Sequence, residues 1–334
     1  MSRRRLRLAA PLLSALLFIG LASASGDEPA EKTRPLVDGT TLVYAGQEQA
    51  AEFLGEEDEY TQSLSGIDRR IRMQATEDPG DEAFRKHAAE AARDWSADER
   101  AKLNAAWDQV AGPLKDLRAK LPQEILMIRT TGDEESNAAY TRRNAIVLPE
   151  KALERDPNKL AKLLAHELFH VLSRSQPSVR WDLYRIVGFE PAELTDVPES
   201  LASRKITNPD APLWNTRIQI GKPGEEVHGV PILLARVRDG KVETNGSLFE
   251  VMEFKLLLVE KSGDAWKPMR SDERPLLVDP RSVPTFAEKI GRNTPYIIHP
   301  DEILAENFVH AIFDTPDLPD REIVEQLDQI LFRP

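Results

Sequence analysis

Apolar residues recur at helical spacing between residues 157 and 175. These apolar positions are Leu160, Leu163, Leu164, Leu168, Val171 and Leu172. Their period predicts a helix that buries one broad face. Asp156 and Pro157 are typical of a helix start, because an Asp side chain caps free backbone amides and proline suits the first turn. Pro177 follows the pattern and ends it, so the sequence predicts a largely buried helix over residues 157–175.

The rest of the chain alternates between helical and strand-like patterns. Helical spacing predicts helices over residues 81–95, 97–120, 179–188 and 198–204. Runs rich in apolar and β-branched residues predict strands over residues 124–129, 139–148, 214–220, 230–237 and 248–259. The sequence therefore predicts the α+β class, with a mixed sheet packed on the 157–175 helix. The last three strands predict a β-rich insertion at about residues 213–262.

The first 24 residues have the pattern of a signal peptide. Four arginines between positions 3 and 7 precede an apolar run, and Ala22-Ser23-Ala24 fits a cleavage signal. That run is shorter than the roughly 20 residues that a membrane span needs, so no membrane anchor is expected after cleavage. The sequence predicts a secreted or periplasmic protein. Ser2-Arg3-Arg4 also loosely resembles a twin-arginine signal.

The length and composition of the mature chain limit its domain organisation, its partners and the kinds of metal site that it can form. Residues 25–75 are predicted to form a partly flexible N-terminal arm, and residues 76–334 one domain. The formal net charge of −12 argues against nucleic acid as a partner, because that binding needs clustered Lys and Arg. No cysteine is present, which excludes disulfides and zinc sites built from thiolates.

The predicted 157–175 helix carries the sequence HELFH at residues 166–170. His166 and His170 are four residues apart, so both imidazoles project from one helix face and can bind one Zn²⁺. Glu167 is turned about 100° away from His166. It is therefore poorly placed as a ligand, but it can take a proton from a water at the metal.

A zinc site of this kind needs a third ligand. A metzincin would have Gly at 173 and His at 176, where this chain has Ser173 and Gln176. The better source is a carboxylate on the helix predicted to start at Pro300, where Glu302 and Glu306 share a face.

HELFH together with Glu302, Ala305 and Glu306 resembles the gluzincin metallopeptidases. The resemblance implies a zincin-like fold with Glu302 as third zinc ligand. It also implies Glu306 as the carboxylate that bonds the outer nitrogen of a ligand histidine. Members of that clan more often have Asp at the position of Glu306, and the 132 residues from His170 to Glu302 are many for the clan.

Three further features have two interpretations each. Tyr296 and His299, just before Pro300, can either donate a hydrogen bond to the oxyanion of peptide hydrolysis or cap and pack the helix start. The strand at 139–148 is either an edge strand that pairs with an extended substrate, as in zincins generally, or an interior strand.

Two functional hypotheses follow. One is a zinc-dependent peptidase acting on a peptide or protein substrate, and the other is a zincin-fold protein that acts by binding. Glu167 favours the peptidase, because a binding protein has no need of a general base.

Overall fold

A six-stranded mixed sheet forms the frame of the computed structural model. The structure describes residues 32–333 except 38, 222, 223, 226 and 245; the predicted signal peptide, residues 1–24, lies outside them. The strands of this main sheet are β1 (Thr33–Val37), β2 (Thr40–Tyr44), β3 (Ala92–Arg93), β4 (Glu124–Thr130), β5 (Tyr140–Arg142) and β6 (Ala145–Pro149). Their order is β1-β2-β4-β6-β5, with β3 also paired to β4. β2, β4 and β6 are parallel, whereas β1, β3 and β5 are antiparallel to their neighbours.

Helices cover both faces of the main sheet. The first seven helices along the chain are α1 (Gln47–Gly55), α2 (Glu59–Ser63), α3 (Gly66–Arg72), α4 (Asp81–Glu90), α5 (Ala97–Leu114), α6 (Pro157–Ser175) and α7 (Pro177–Ile186). Further along the chain come α8 (Glu199–Ala202), α9 (Leu248–Val251), α10 (Pro284–Ile290), α11 (Pro300–Ile312) and α12 (Arg321–Leu331). Alternate residues of β6 show the layering, since Ile146 packs with α5, α6 and α11 while Val147 packs with α1 and α4.

A second, antiparallel sheet is built from the chain between α6 and α11. Its strands are β7 (Phe189–Pro191), β8 (Thr216–Gln219), β9 (His228–Ala235), β12 (Met252–Ser262), β13 (Ala265–Pro268) and β16 (Leu277–Val278). Two small hairpins complete the strands: β10 (Val237–Arg238) with β11 (Lys241–Val242), and β14 (Arg270–Ser271) with β15 (Arg274–Pro275). The predicted β-rich insertion is therefore present, but it extends from residue 189 to 278 rather than over 213–262. The added strands are too short to show a strand period.

The predicted α+β class with a mixed sheet on the 157–175 helix is confirmed. α6 spans the predicted residues, the Asp156 side chain accepts the Lys159 N–H as N-cap, and Pro157 lies in the first turn. α11 begins at Pro300 as predicted. Helix α5 stops at Leu114, earlier than the predicted residue 120, with Pro113 in its last turn.

Residues 33–72 and 139–148 also differ from their predictions. Residues 33–72 form β1, β2 and α1–α3 instead of a partly flexible arm, because Leu42 and Tyr44 of β2 are buried in the main core. Residues 139–148 form two antiparallel strands instead of one. A two-residue turn at Arg143 and Asn144 joins them, with Arg143 at φ +50°. The turn contains neither glycine nor proline, so the local sequence does not mark it.

The described residues belong to one compact unit. None of their helices is both long enough and apolar enough to cross a membrane.

Candidate metal centre

Two packed helices bring the predicted ligands together. α6 supplies His166 and His170, and α11 supplies Glu302. Phe169 and Phe308 pack between these helices with ring centroids 5.6 Å apart. All three candidate ligands are buried, His166 being 9% exposed and the others less. Burial and helix packing therefore fix the directions of these side chains.

One carboxylate oxygen faces both histidines. Oε2 of Glu302 lies 3.1 Å from Nε2 of His166 and 3.5 Å from Nε2 of His170. A tetrahedral zinc ion with bonds of about 2.0–2.1 Å separates neighbouring donor atoms by about 3.3 Å. The two distances from Glu302 are therefore close to that separation, and all three donors lie within 4.8 Å of one another.

Each histidine is held through its outer nitrogen by a carboxylate. Nδ1 of His166 donates to Glu306 over 3.0 Å, and Nδ1 of His170 donates to Asp301 over 2.6 Å. A carboxylate can only accept, so both Nδ1 atoms carry protons and both Nε2 atoms point at Glu302. Nε2 of His170 is buried and has no hydrogen-bond partner among the described residues. This arrangement is the usual orientation of metal-binding histidines.

Without a metal, protons neutralise the cluster. Burial opposes protonation of His166, but its hydrogen bonds to Glu302 and Glu306 outweigh burial and raise the pKa of His166 to about 9. Burial alone would raise the pKa of Glu302, but the positive charge of His170 and the hydrogen bond from His166 hold it well below its usual value. A divalent cation would take the position of the shared proton.

Asp301 is a carboxylate whose role the sequence analysis does not identify. It accepts three hydrogen bonds: from His170, from Ser173 Oγ over 2.5 Å and from the Tyr184 hydroxyl over 2.8 Å. Burial would raise the pKa of Asp301, but these donors hold it below its usual value. Asp301 therefore stays ionised and fixes the more deeply buried histidine. Its position beside Glu302 is the available signal, but acids are common in any first helix turn.

Glu167 is not among the three converging donors, but it belongs with His170 and Asp210 to a second group of potential donor atoms. Its Oε2 accepts the Thr141 hydroxyl over 3.0 Å, and a carboxylate oxygen lies within 4.8 Å of a ring nitrogen of His170. Burial raises the pKa of Glu167, while the charges of His166 and His170 partly oppose that rise. A buried carboxylate with a raised pKa has the properties of a general base.

Tyr296 lies at the exposed side of the centre. Its ring stacks on that of His166, with centroids 6.2 Å apart and an interplanar angle of 26°. Although the residue is 38% exposed overall, desolvation of its hydroxyl and the negative charge of Glu302 raise the pKa of Tyr296 well above its usual value. The phenol is therefore neutral at physiological pH and able to donate a hydrogen bond.

Of the two interpretations of His299, the structure shows the capping role. It is the N-cap of α11, its Nδ1 accepts the Asp301 N–H over 3.1 Å, and its ring packs edge-on against Tyr184. Burial lowers the pKa of His299 to about 4, so the ring is neutral. Because Nδ1 accepts, the neutral ring carries its proton on Nε2, which is buried and has no hydrogen-bond partner among the described residues. A hydrogen bond from His299 to the oxyanion therefore stays a prediction.

The predicted substrate edge is closed in this structure. β5 is the last strand of the main sheet, but Tyr140, Thr141 and Arg142 are all buried. Thr141 N–H donates to Asp210 over 2.6 Å, and Arg174 donates to Thr141 C=O over 3.1 Å. β5 is thus an edge strand, as one of the two interpretations has it. Its edge is not open in this conformation, because Asp210 in a loop and Arg174 on α6 bond the outer backbone groups of Thr141.

Comparison with models of known protein families, with curated proteins and with solved structures gives no match.

Proposed function

We propose that the protein is an exported zinc-dependent peptidase with a zincin-like fold of the gluzincin type. The observation that carries this proposal is the convergence of His166 Nε2, His170 Nε2 and Glu302 Oε2, each histidine being held from behind by a carboxylate. Two imidazoles and one carboxylate are the ligands of many catalytic zinc sites, which keep a fourth position for water or substrate. The signal-like residues 1–24 support export.

Zinc held by these three residues would supply Lewis-acid chemistry to a water molecule and to the scissile carbonyl. The chain supplies the proton transfers. Glu167 accepts the proton of the attacking water and passes it to the leaving amine. Its raised pKa suits both steps, because a carboxylate that binds its proton more tightly is a stronger base.

Tyr296 is proposed to stabilise the developing negative charge on the carbonyl oxygen. Its stacking on His166 places the ring against a metal ligand, and its raised pKa keeps the hydroxyl protonated. A neutral donor next to a forming oxyanion lowers the barrier without changing its own protonation state. The role predicts that Tyr296→Phe lowers kcat more than it changes KM.

The order of elements supports the zincin-like interpretation. An antiparallel edge strand, β5, and a parallel strand, β6, precede α6, and α11 follows with Glu302. The second sheet lies between the two ligand helices in sequence, which accounts for the large separation of His170 and Glu302.

One observation favours the second hypothesis, a zinc-binding protein that acts without hydrolysis. The closed outer edge of β5 offers no pairing site for an extended substrate in this conformation. Metal removal separates the two functions. The purified mature chain should contain one zinc, cleave unfolded β-casein, lose that cleavage with 1,10-phenanthroline, and regain it with added zinc. His170→Ala, which removes a ligand, serves as the metal-free control.

Stoichiometric zinc without cleavage of β-casein or of a broad peptide library would favour the binding protein. Cleavage that survives complete removal of metal would show that the chemistry proposed here is wrong. Profiling of new protein termini would then define the substrates, and an N-terminus at Ser25 in exported protein would support the predicted cleavage after Ala24.

A further inference from the structure

A short loop segment covers the edge of β5 beside the metal centre. We call residues Asn208–Pro212 the strap. Its preceding residue, Thr207, is firmly held, because its N–H donates to Asp68 over 2.8 Å and its C=O accepts from Arg72 over 2.7 Å. At the other end, Asn215 C=O accepts the Ala192 N–H over 2.8 Å. The strap is therefore a loop between two fixed points.

The strap takes the place of a neighbouring strand. Asp210 accepts the outward-facing N–H of Thr141, and Arg174 donates to the outward-facing C=O of Thr141. Arg174 also donates to the carbonyls of Pro209 and Asp210, over 3.1 and 2.8 Å, which ties the strap to α6. These are the backbone groups to which an added strand would bond.

The strap also reaches the metal centre itself. Asn208 Nδ2 donates to Glu302 Oε1 over 2.5 Å, and an Asp210 carboxylate oxygen lies within 4.8 Å of donor atoms of Glu167 and His170. Behind the candidate ligands, a cavity of about 30 Å³ lies between the strap and the ends of α6 and α11, lined by Asp210, Asp301 and His299 among others. A cavity of that size holds one or two water molecules and no peptide residue.

We propose that the strap is an autoinhibitory contact, which must leave the β5 edge before an extended polypeptide can reach the metal centre. The proposal rests on the proposed function. The strap is held by a few hydrogen bonds: those of Asn208, Asp210 and Arg174, and one from Lys205 Nζ to Pro212 C=O over 2.7 Å. The apparent affinity for substrate is then the intrinsic affinity multiplied by the fraction of molecules with the strap open.

Asp210→Ala tests the proposal, because it removes the acceptor for Thr141 N–H. Asp210→Asn is the matched variant, since its amide oxygen still accepts from Thr141 while the charge is lost. Asp116→Ala, at an exposed acid far along the chain, controls for loss of negative charge. All are made in the Glu167→Gln background, so that bound β-casein is not cleaved, and zinc content is measured in every sample.

Two readouts are needed. In hydrogen exchange without any ligand, Asp210→Ala should speed exchange in residues 207–213 by at least tenfold and leave β9 unchanged. In binding, the same variant should hold β-casein about tenfold more tightly, while Asp210→Asn and Asp116→Ala stay near the parent. Unchanged exchange of the strap, or equal β-casein affinity of the parent and Asp210→Ala, overturns the proposal. Failure of the proposed function appears separately, as missing zinc or as no hydrolysis by chains that keep Glu167.

Discussion

Asp301 holds the more deeply buried of the two candidate ligand histidines, and we expect zinc affinity to depend on it. Asp301→Asn keeps the side-chain volume but offers a weaker, uncharged acceptor to His170. We expect zinc affinity to fall about 10- to 100-fold, the usual effect of losing a carboxylate behind a ligand histidine. The measurement is competition for zinc with a chromophoric chelator.

Glu306→Gln is the matched control for Asp301→Asn. It weakens the corresponding partner of His166, but the Glu306 side chain is 36% exposed, whereas that of Asp301 is 3% exposed. Water can replace part of the Glu306 interaction, so its effect on zinc affinity should be smaller. Equal effects of the two variants, or none for Asp301→Asn, would contradict this assignment.

Glu134 has no part in the proposed metal centre, but it makes the free energy of unfolding depend on pH. It is buried, its Oε1 accepts from the Tyr140 hydroxyl over 3.3 Å, and its Oε2 has no partner among the described residues. Burial raises the pKa of Glu134 from 4.5 to about 7. The folded protein therefore holds this proton more tightly than the unfolded chain does.

The sign of the effect follows from that difference. The stabilisation by the proton is fully present below pH 4.5 and is lost as the pH rises to about 7. The amide in Glu134→Gln does not titrate, so the variant does not lose stability as the pH rises. Its free energy of unfolding should exceed that of the wild type by about 2–3 kcal/mol at pH 8 and match it at pH 4. Urea denaturation at both pH values measures this, with exposed Glu154→Gln as control. A gain that is equal at both pH values would rule out the titration of Glu134 as its cause.

Site residues that lie at a helical spacing from one another could be predicted from the sequence, whereas site residues outside such a pattern could not. His166, Glu167 and His170 follow from helix geometry, and Glu302 and Glu306 from a second helix face. Asn208, Thr141 and Asp210 are single polar residues in a loop or short strand, where no period marks them. They reach the centre through contacts between residues 26 to 94 positions apart in the chain.

At the scale of elements, the contact of α6 with α11 determines the geometry of the centre. Phe308 of α11 is fully buried against Phe169. Phe308→Ala should lower the free energy of unfolding by about 3–5 kcal/mol, through lost burial and the cavity left behind. Denaturation of the metal-free protein measures the loss. Phe249→Ala, at a phenylalanine that is 52% exposed, should change stability by at most about 0.5 kcal/mol.

If Phe308→Ala were no more destabilising than Phe249→Ala, the packing of α6 on α11 would not be the structural basis of the site.

The longer helices and strands could be predicted from the sequence better than the shorter ones. α6 was predictable because its apolar period, N-cap and terminating proline agree, whereas the turn at Arg143 and Asn144 contains neither glycine nor proline to mark it. Within the acidic residues Glu56–Glu59, Asp58 caps α2 and pairs with buried Arg142 over 2.8 Å, a contact that local sequence does not reveal.

At the scale of the whole molecule, the predicted class holds but the extent of its parts does not. The α+β class follows from long periodic segments, which survive tertiary packing. The second sheet exceeds the predicted insertion, and residues 33–72 join the core instead of forming an arm. Both differences involve strands of two to five residues, which are too short for a local pattern to reveal, and β2 is held in the sheet by the distant strand β4.

The central claim is that Glu167 supplies the base at a zinc centre formed by His166, His170 and Glu302. The most direct test is the rate of β-casein hydrolysis by zinc-loaded Glu167→Gln relative to wild type, with zinc content measured in the same preparations. We expect one zinc per chain in both proteins and a rate at least ~10²-fold lower in the variant, because glutamine cannot accept the proton of the attacking water. Full activity in a variant that keeps its zinc, or loss of zinc from the variant, would contradict the account.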